Sequence, residues 1–217
     1  MKKWKMAPRP KRLKQSKTLH AHKSILQICA PMLAALFDSG EAVTTVVISD
    51  IKPNYFQYML WYVYGGSVSE ADLKAHAKGI IDAADKYSIV NLKLEAEAAY
   101  IDSATIAMDT AKDHLLYADA KNLALLKEVV LDFIAENSVE ASQKIPFSDI
   151  PGHLIRDLLI AFGRSQQRDD ANEEDSDQFS VMRVSDLRRM LDEKGLDVDG
   201  SREAMIEALK NSAEEAN

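Results

Sequence analysis

With 217 residues, of which 47% are hydrophobic and 7% aromatic, the chain can hold one large or two small domains, and its composition is typical of a soluble, helix-rich protein. One cysteine, Cys29, excludes an internal disulfide, and we interpret it as a buried thiol in an apolar helix. The sequence contains no membrane-length apolar run and no signal-peptide layout, so we predict an intracellular protein without a membrane partner.

The net charge of −7 is distributed unevenly along the chain. Residues 1–37 carry nine basic residues and no acidic one, whereas the remainder is strongly acidic. Such a basic arm favours a polyelectrolyte or a transport receptor as its partner. Residues 1–18 contain two prolines and no helical periodicity, so we predict a disordered arm. Within it, Lys11, Arg12 and Lys14 fit a nuclear-import signal, and the prolines disfavour a mitochondrial presequence.

Two short helices and one strand are predicted after the arm. Helical periodicity begins at residues 22–23, is interrupted by Pro31, and ends at Ser39-Gly40. The β-branched run from Val43 to Ile48 is the best candidate for a strand.

The segment from residue 53 to residue 162 is predicted to be helical. Pro53 suits the first position of a helix, and Gly65-Gly66 would end it. We interpret the aromatic residues Tyr55, Trp61 and Tyr64 of this helix as core residues. Further helices are predicted over residues 70–86, 90–101, 104–118, 121–137 and 152–162.

The C-terminal part begins with a change in composition. Residues 163–178 contain six acidic residues and no large apolar one, so we predict an acidic linker. Two amphipathic helices follow, with apolar faces formed by Val184, Leu187 and Leu191 and by Met205, Ile206 and Leu209. Gly195 can take the positive φ that ends the first helix, and Ser201 is placed to cap the second.

This pattern over residues 179–210, followed by a tail at 211–217, resembles the SAP motif, a two-helix nucleic-acid-binding module. The resemblance implies that basic residues of the first helix and the one after Gly-Ser contact phosphates; here these are Arg188, Arg189 and Arg202. Ser201 opens the second helix, whose N-terminal amides also favour an anion. Acidic and basic residues nearly balance, so we expect weak, non-sequence-specific binding of DNA or chromatin. A protein-binding or merely folded tail is the alternative.

The N-terminal part carries a second resemblance. Its residues are His22-Lys23-Ser24-Ile25-Leu26, Ala30-Pro31-Met32-Leu33, Val46–Ile51, Tyr62–Gly66, Ala83–Tyr87 and Asn91-Leu92-Lys93. In order and spacing they resemble the BTB/POZ domain, over residues 19–102. Residues 103–162 resemble the helical extension that follows BTB in many adaptors. The expected fold is therefore mostly α: a BTB/POZ-like α+β domain with a reduced sheet, a helical extension and a small helix-loop-helix module.

The BTB resemblance implies protein–protein association, commonly as a homodimer, and in many members presentation of substrates to cullin-type ubiquitin ligases. Two features depart from the family. The N-terminal hairpin is missing, so the predicted strand lacks a partner unless the arm or another chain supplies one, or the sequence is a shortened gene product. The loop from Asp38 to Thr45 keeps only Glu41 of the hydrophobic-x-Glu element that cullin-binding members often carry.

No catalytic pattern was found in the sequence. It has no glycine-rich phosphate loop and no Gly-x-Ser-x-Gly elbow, and no further ligands accompany His20 and His22 at metal-binding spacing. We predict a protein that is not an enzyme and binds neither cofactor nor metal. The leading hypothesis is a nuclear adaptor, with the cytoplasm as the alternative location. Two alternatives remain open: a substrate adaptor of a cullin-type ligase, and a truncated gene product.

Overall fold

The computed structural model describes residues 18–37, 45–167, 179 and 182–214. The helices are α1 (Lys23–Cys29), α2 (Pro31–Ala34), α3 (Pro53–Val63), α4 (Glu70–Lys86), α5 (Val90–Ser103), α6 (Met108–Ala120), α7 (Ala124–Glu136), α8 (Ser138–Lys144), α9 (Gly152–Gln167), α10 (Val184–Glu193) and α11 (Arg202–Glu214). Within these ranges the mostly-α fold class is confirmed.

The helix boundaries follow from local chemistry. Pro53 occupies the first turn of α3, where a missing N–H costs nothing, and Gly65 follows the helix with a φ of +81°. Ser69 precedes α4 and its hydroxyl accepts a hydrogen bond from the Asp72 amide at 3.2 Å. The helix predicted over residues 70–86 is thereby confirmed to the residue.

Helices α1–α9, here called the N-terminal body, surround one hydrophobic core. Its largest fully buried side chains are Leu26, Leu33, Met59, Ile80, Ile81, Leu92, Leu115, Leu123, Leu126, Ile134 and Leu154. Helix α4 packs along α5, and α7 lies against α6 on one side and α9 on another. A further part of α7 contacts α5 and α10, so α7 connects the body to the C-terminal helices.

The strand predicted over Val43–Ile48 is not formed in the residues described there. Residues 45–49 have no regular secondary structure, and Val47 is exposed. A strand must pair its backbone N–H and C=O groups, and the described ranges offer no second strand as a partner. The reduced sheet of the expected fold is therefore absent from the described part of the chain.

Three core assignments were wrong. Cys29, predicted to be buried, is an exposed free thiol, because Leu26 and Ala30 face the core from that turn. Trp61 and Tyr64, interpreted as core residues, are exposed, and Trp61 Nε1 donates a hydrogen bond to the Ser67 carbonyl at 3.2 Å. The α3 residues that face inward are Met59, Leu60 and Val63, which belong to the apolar face predicted from the spacing.

Helix α9 continues to Gln167, beyond the predicted boundary at residue 162 and into the segment predicted as linker. Arg164 explains the extension, since its guanidinium pairs with Glu128 and Asp132 on α7. Helix α8 was not predicted at all. The predicted import signal of Lys11, Arg12 and Lys14, the loop around Glu41 and most of the linker lie outside the described residues.

Candidate nucleic-acid interface

Helices α10 and α11, with their loop, form what we call the two-helix module. Val184, Leu187, Leu191, Met205 and Leu209 are buried between the helices, as the apolar spacing predicted. The module therefore has a small core of its own.

The predicted ends of both helices are confirmed. Gly195 has a φ of +66°, its amide donates to the Asp192 carbonyl, and the Leu196 amide donates to the Leu191 carbonyl. These paired bonds satisfy the last carbonyls of α10. At the start of α11, Ser201 Oγ accepts a hydrogen bond from the Ala204 amide at 3.3 Å. Ser201 is thus a capping residue.

The module packs directly against the N-terminal body. Ala124, the first residue of α7, is buried in the module's core, and Leu125 packs against the same cluster. An acidic linker in the sequence thus separates two parts that share a surface. Three groups of charged residues reinforce this contact.

The first group is centred on Glu97 of α5, which is fully buried. Its Oε1 accepts hydrogen bonds from the amides of Leu125 and Leu126 at 2.9 and 3.0 Å, and so caps the N-terminus of α7. Its Oε2 accepts a hydrogen bond from Arg188 Nη2 at 2.9 Å. The Arg188 side chain is only 14% exposed. A residue predicted to contact DNA is therefore engaged with the body.

The second group surrounds Glu128 on α7. Its Oε1 lies 3.1 Å from Arg164 Nη1, and its Oε2 accepts a hydrogen bond from the Val184 amide at 3.2 Å. Val184 is the first residue of α10, so the carboxylate lies at the positive end of that helix. Nearby, Arg183 donates to Asp132, and this pairing is the main cause that raises the pKa of Arg183.

The third group joins Lys93 of α5 to the module's loop. The ammonium is almost completely buried and lies 3.0 Å from Asp199 and 3.2 Å from Asp85. Because Asp85 belongs to α4 and Asp199 to the loop before α11, this lysine connects the body to the module.

The remaining predicted contact residues differ in accessibility. Arg202 Nη2 donates to the Met182 carbonyl at 2.8 Å. Burial is the main cause that lowers the pKa of Arg202, and the positive charge of Arg164 on the body adds to it. Arg189, by contrast, is 66% exposed and pairs with Asp186 one turn earlier on α10. The structure thus leaves Arg189 accessible and engages Arg188 and Arg202 in packing.

Among the described helices, none combines the length and the hydrophobicity that a membrane span requires. In the same part of the chain, no group of three or more histidine, cysteine or carboxylate side chains is placed to hold a metal ion.

The sequence also matches two known families. Residues 12–104 match the family BTB/POZ domain, and residues 178–214 match the family SAP domain. The chain carries a BTB/POZ domain and a SAP domain. Both resemblances drawn from the sequence are confirmed, and the two-helix module is the SAP domain.

Among curated proteins, the chain is similar to TD and POZ domain-containing proteins of Mus musculus. It is 29% identical to protein 1 over 152 residues, which are 67% of this chain and 41% of that protein. It is 32% identical to protein 4 over 126 residues, which are 57% of this chain and 34% of that protein. The chain therefore spans less than half the length of these relatives.

Proposed function

We propose that this protein is a non-enzymatic nuclear adaptor. Its BTB/POZ-containing body binds protein partners, a second copy included, and its SAP domain tethers the assembly weakly to DNA or chromatin. The observation that carries this proposal is the presence of an association domain and a folded nucleic-acid-binding module in one chain. The predicted import signal at Lys11, Arg12 and Lys14 supports the nuclear location.

The charges of the module support weak, sequence-independent binding. Acidic residues alternate with its basic residues, so few cations can meet phosphates together. Arg189 is the most accessible arginine of the proposed contact set, and the start of α11 at Ser201 offers further backbone amides. We propose that Arg188, Arg189, Ser201 and Arg202 form this contact set.

The first prediction concerns this DNA contact. The full chain should bind an unrelated duplex with a dissociation constant of about 10⁻⁴ M at physiological salt, the weak end of non-specific binding, and more tightly at low salt. Arg189→Ala should weaken binding further and reduce the slope of log K against log salt by about one, because one phosphate contact is lost. Fluorescence anisotropy at several salt concentrations measures both quantities.

Arg156→Ala is the matched control, since Arg156 is an exposed arginine on α9 of the body. We expect it to leave the affinity and the salt slope unchanged. Undetectable binding at low salt, or equal losses in the two variants, would instead favour a protein-binding role for the module.

The second prediction concerns self-association. Ile28, Met32 and Leu36, on α1, α2 and the turn that follows, are 83%, 55% and 40% exposed, and we call these three side chains the apolar face. The neighbouring Leu33 is buried and takes no part in this face. We propose that this apolar face forms the homodimer interface.

Met32→Glu should therefore convert a dimer into a monomer, because it places a charge in the apolar face. Sedimentation equilibrium at tens of micromolar should show the mass of two chains for the parent and of one for the variant. Val139→Glu on α8, also at an exposed apolar residue, should leave the dimer intact. A monomeric parent would contradict the proposal.

Affinity purification of the full chain with mass spectrometry tests the protein partner. Recovery of chromatin proteins supports the adaptor, and recovery of a cullin supports the substrate-adaptor alternative.

A further inference from the structure

We propose that the face of the body formed by Glu97 and Glu128 competes with DNA for the two-helix module. While the module is docked, Arg188 is held in the intramolecular contact with Glu97, and its contact with DNA requires release from the body. This proposal rests on the proposed DNA-binding function, whose regulation it describes.

The chemistry of the contact explains the competition. A guanidinium donates to a carboxylate oxygen and to a phosphate oxygen with the same planar geometry. Glu97 Oε2, 2.9 Å from Arg188 Nη2, therefore stands where a DNA phosphate oxygen would lie. Because Glu97 is fully buried and the Arg188 side chain is only 14% exposed, a duplex cannot approach this guanidinium in the docked arrangement.

Glu128 provides a second substitute for a phosphate. Its carboxylate accepts a hydrogen bond from the Val184 amide at the N-terminus of α10, where the helix dipole and open amides favour an anion. The body thus presents two carboxylates to the elements of the module that would face phosphates.

The contact between the body and the two-helix module is of a kind that can open. The side chains that join body and module are largely charged, and the coulombic gain of buried ion pairs is opposed by their desolvation. Polar interfaces of this kind between domains of one chain commonly separate. Apart from Ala124, the buried residues of the module's core all belong to α10 and α11, so that core remains when the module leaves.

Glu97→Gln in the full chain tests the competition. Glutamine keeps a carbonyl oxygen for the amides of Leu125 and Leu126, and thus the cap of α7, but removes the charge that holds Arg188. We expect the affinity for an unrelated duplex, measured by anisotropy, to rise about fivefold or more, the usual size of coupling between two linked equilibria.

Glu95→Gln is the matched control, because it removes the same charge from the same helix. Glu95 is exposed and accepts a hydrogen bond from Tyr62 instead of facing the module. We expect no change in DNA affinity. If the DNA affinity rises equally in both variants, the cause is the loss of one negative charge, which weakens the repulsion between the chain and DNA. That result would overturn the competition.

Asp199→Asn tests the same contact from the module's side and does not depend on the folding of the Glu97 variant. It loses the pairing with Lys93, whereas Asp197→Asn, on the exposed part of the same loop, does not. Of these two variants, only Asp199→Asn should bind DNA more tightly than the parent chain does.

The outcomes separate the two proposals. Binding of equal strength by the parent, Glu97→Gln and Asp199→Asn overturns the competition and leaves DNA binding standing. No binding by any variant overturns the DNA-binding function itself.

Discussion

Replacing Leu191 with alanine should unfold the two-helix module and leave the N-terminal body folded. Leu191 is completely buried between α10 and α11, and a buried leucine-to-alanine change costs about 2–5 kcal/mol. A module of this size has only a few kcal/mol of stability from its own core. The body retains its structure because its buried core contains no residue of α10 or α11.

Amide hydrogen exchange followed residue by residue measures this effect. Protection should disappear across α10 and α11 and persist in α4, α5 and α7. Leu196→Ala is the control, since Leu196 lies at an exposed position in the loop of the same module. Retained protection of α10 in Leu191→Ala would show that docking on the body, and not the module's core, maintains its fold.

Local patterns in the sequence predicted the module well because its determinants are local. The apolar spacing of Leu187 and Leu191, the positive φ of Gly195 and the cap from Ser201 all act within a few residues. Each has the structural role that was expected. The same holds for α4, whose cap and apolar face lie within its own sequence.

The strand prediction was wrong for the opposite reason. β-Branched residues such as Val46 and Val47 favour an extended backbone, but a strand forms only where another strand supplies hydrogen bonds. That requirement concerns residues elsewhere in the chain or in another chain. A run of six residues cannot show whether it is met.

The partners of the predicted arginines were missed because they are distant in sequence. Arg188 meets Glu97, 91 residues earlier, and Val184 meets Glu128, 56 residues earlier. One signal was available. Glu97 stands among Ala96, Ala99 and Tyr100 on the buried side of α5, and a charged residue at a core position indicates a buried partner.

Helix α7 also has a charged residue at a core position, since Glu128 lies between the buried residues Leu126 and Val130. Two carboxylates on inward faces of neighbouring helices predict a buried cationic surface against them. At Glu97 the cation is Arg188 of α10, whereas at Glu128 the cations are Arg164 of α9 and, at 3.9 Å, Arg183 just before α10.

Glu128→Ala should separate the module from the body and lower the stability of the whole chain. The change leaves the Val184 amide without its acceptor and removes a carboxylate from Arg164 and Arg183. Breaking a buried ion pair from one side costs about 3–5 kcal/mol because a charge stays buried without compensation. Asp132 still pairs with both arginines, so we expect about 3 kcal/mol.

In a chain of this length that loss corresponds to a fall in the thermal midpoint of roughly 6–12 °C, which calorimetry measures. Glu140→Ala is the control, because Glu140 forms an exposed pair with Lys144 on α8, and surface pairs contribute little. Its midpoint should equal that of the parent. The thermal midpoint of Glu128→Gln should lie between those of Glu128→Ala and Glu140→Ala. The glutamine amide oxygen can still accept a hydrogen bond from the Val184 amide, but the negative charge is lost. If Glu128→Ala behaves like Glu140→Ala, desolvation offsets the ion pairs, and the apolar contact at Ala124 holds the module on the body.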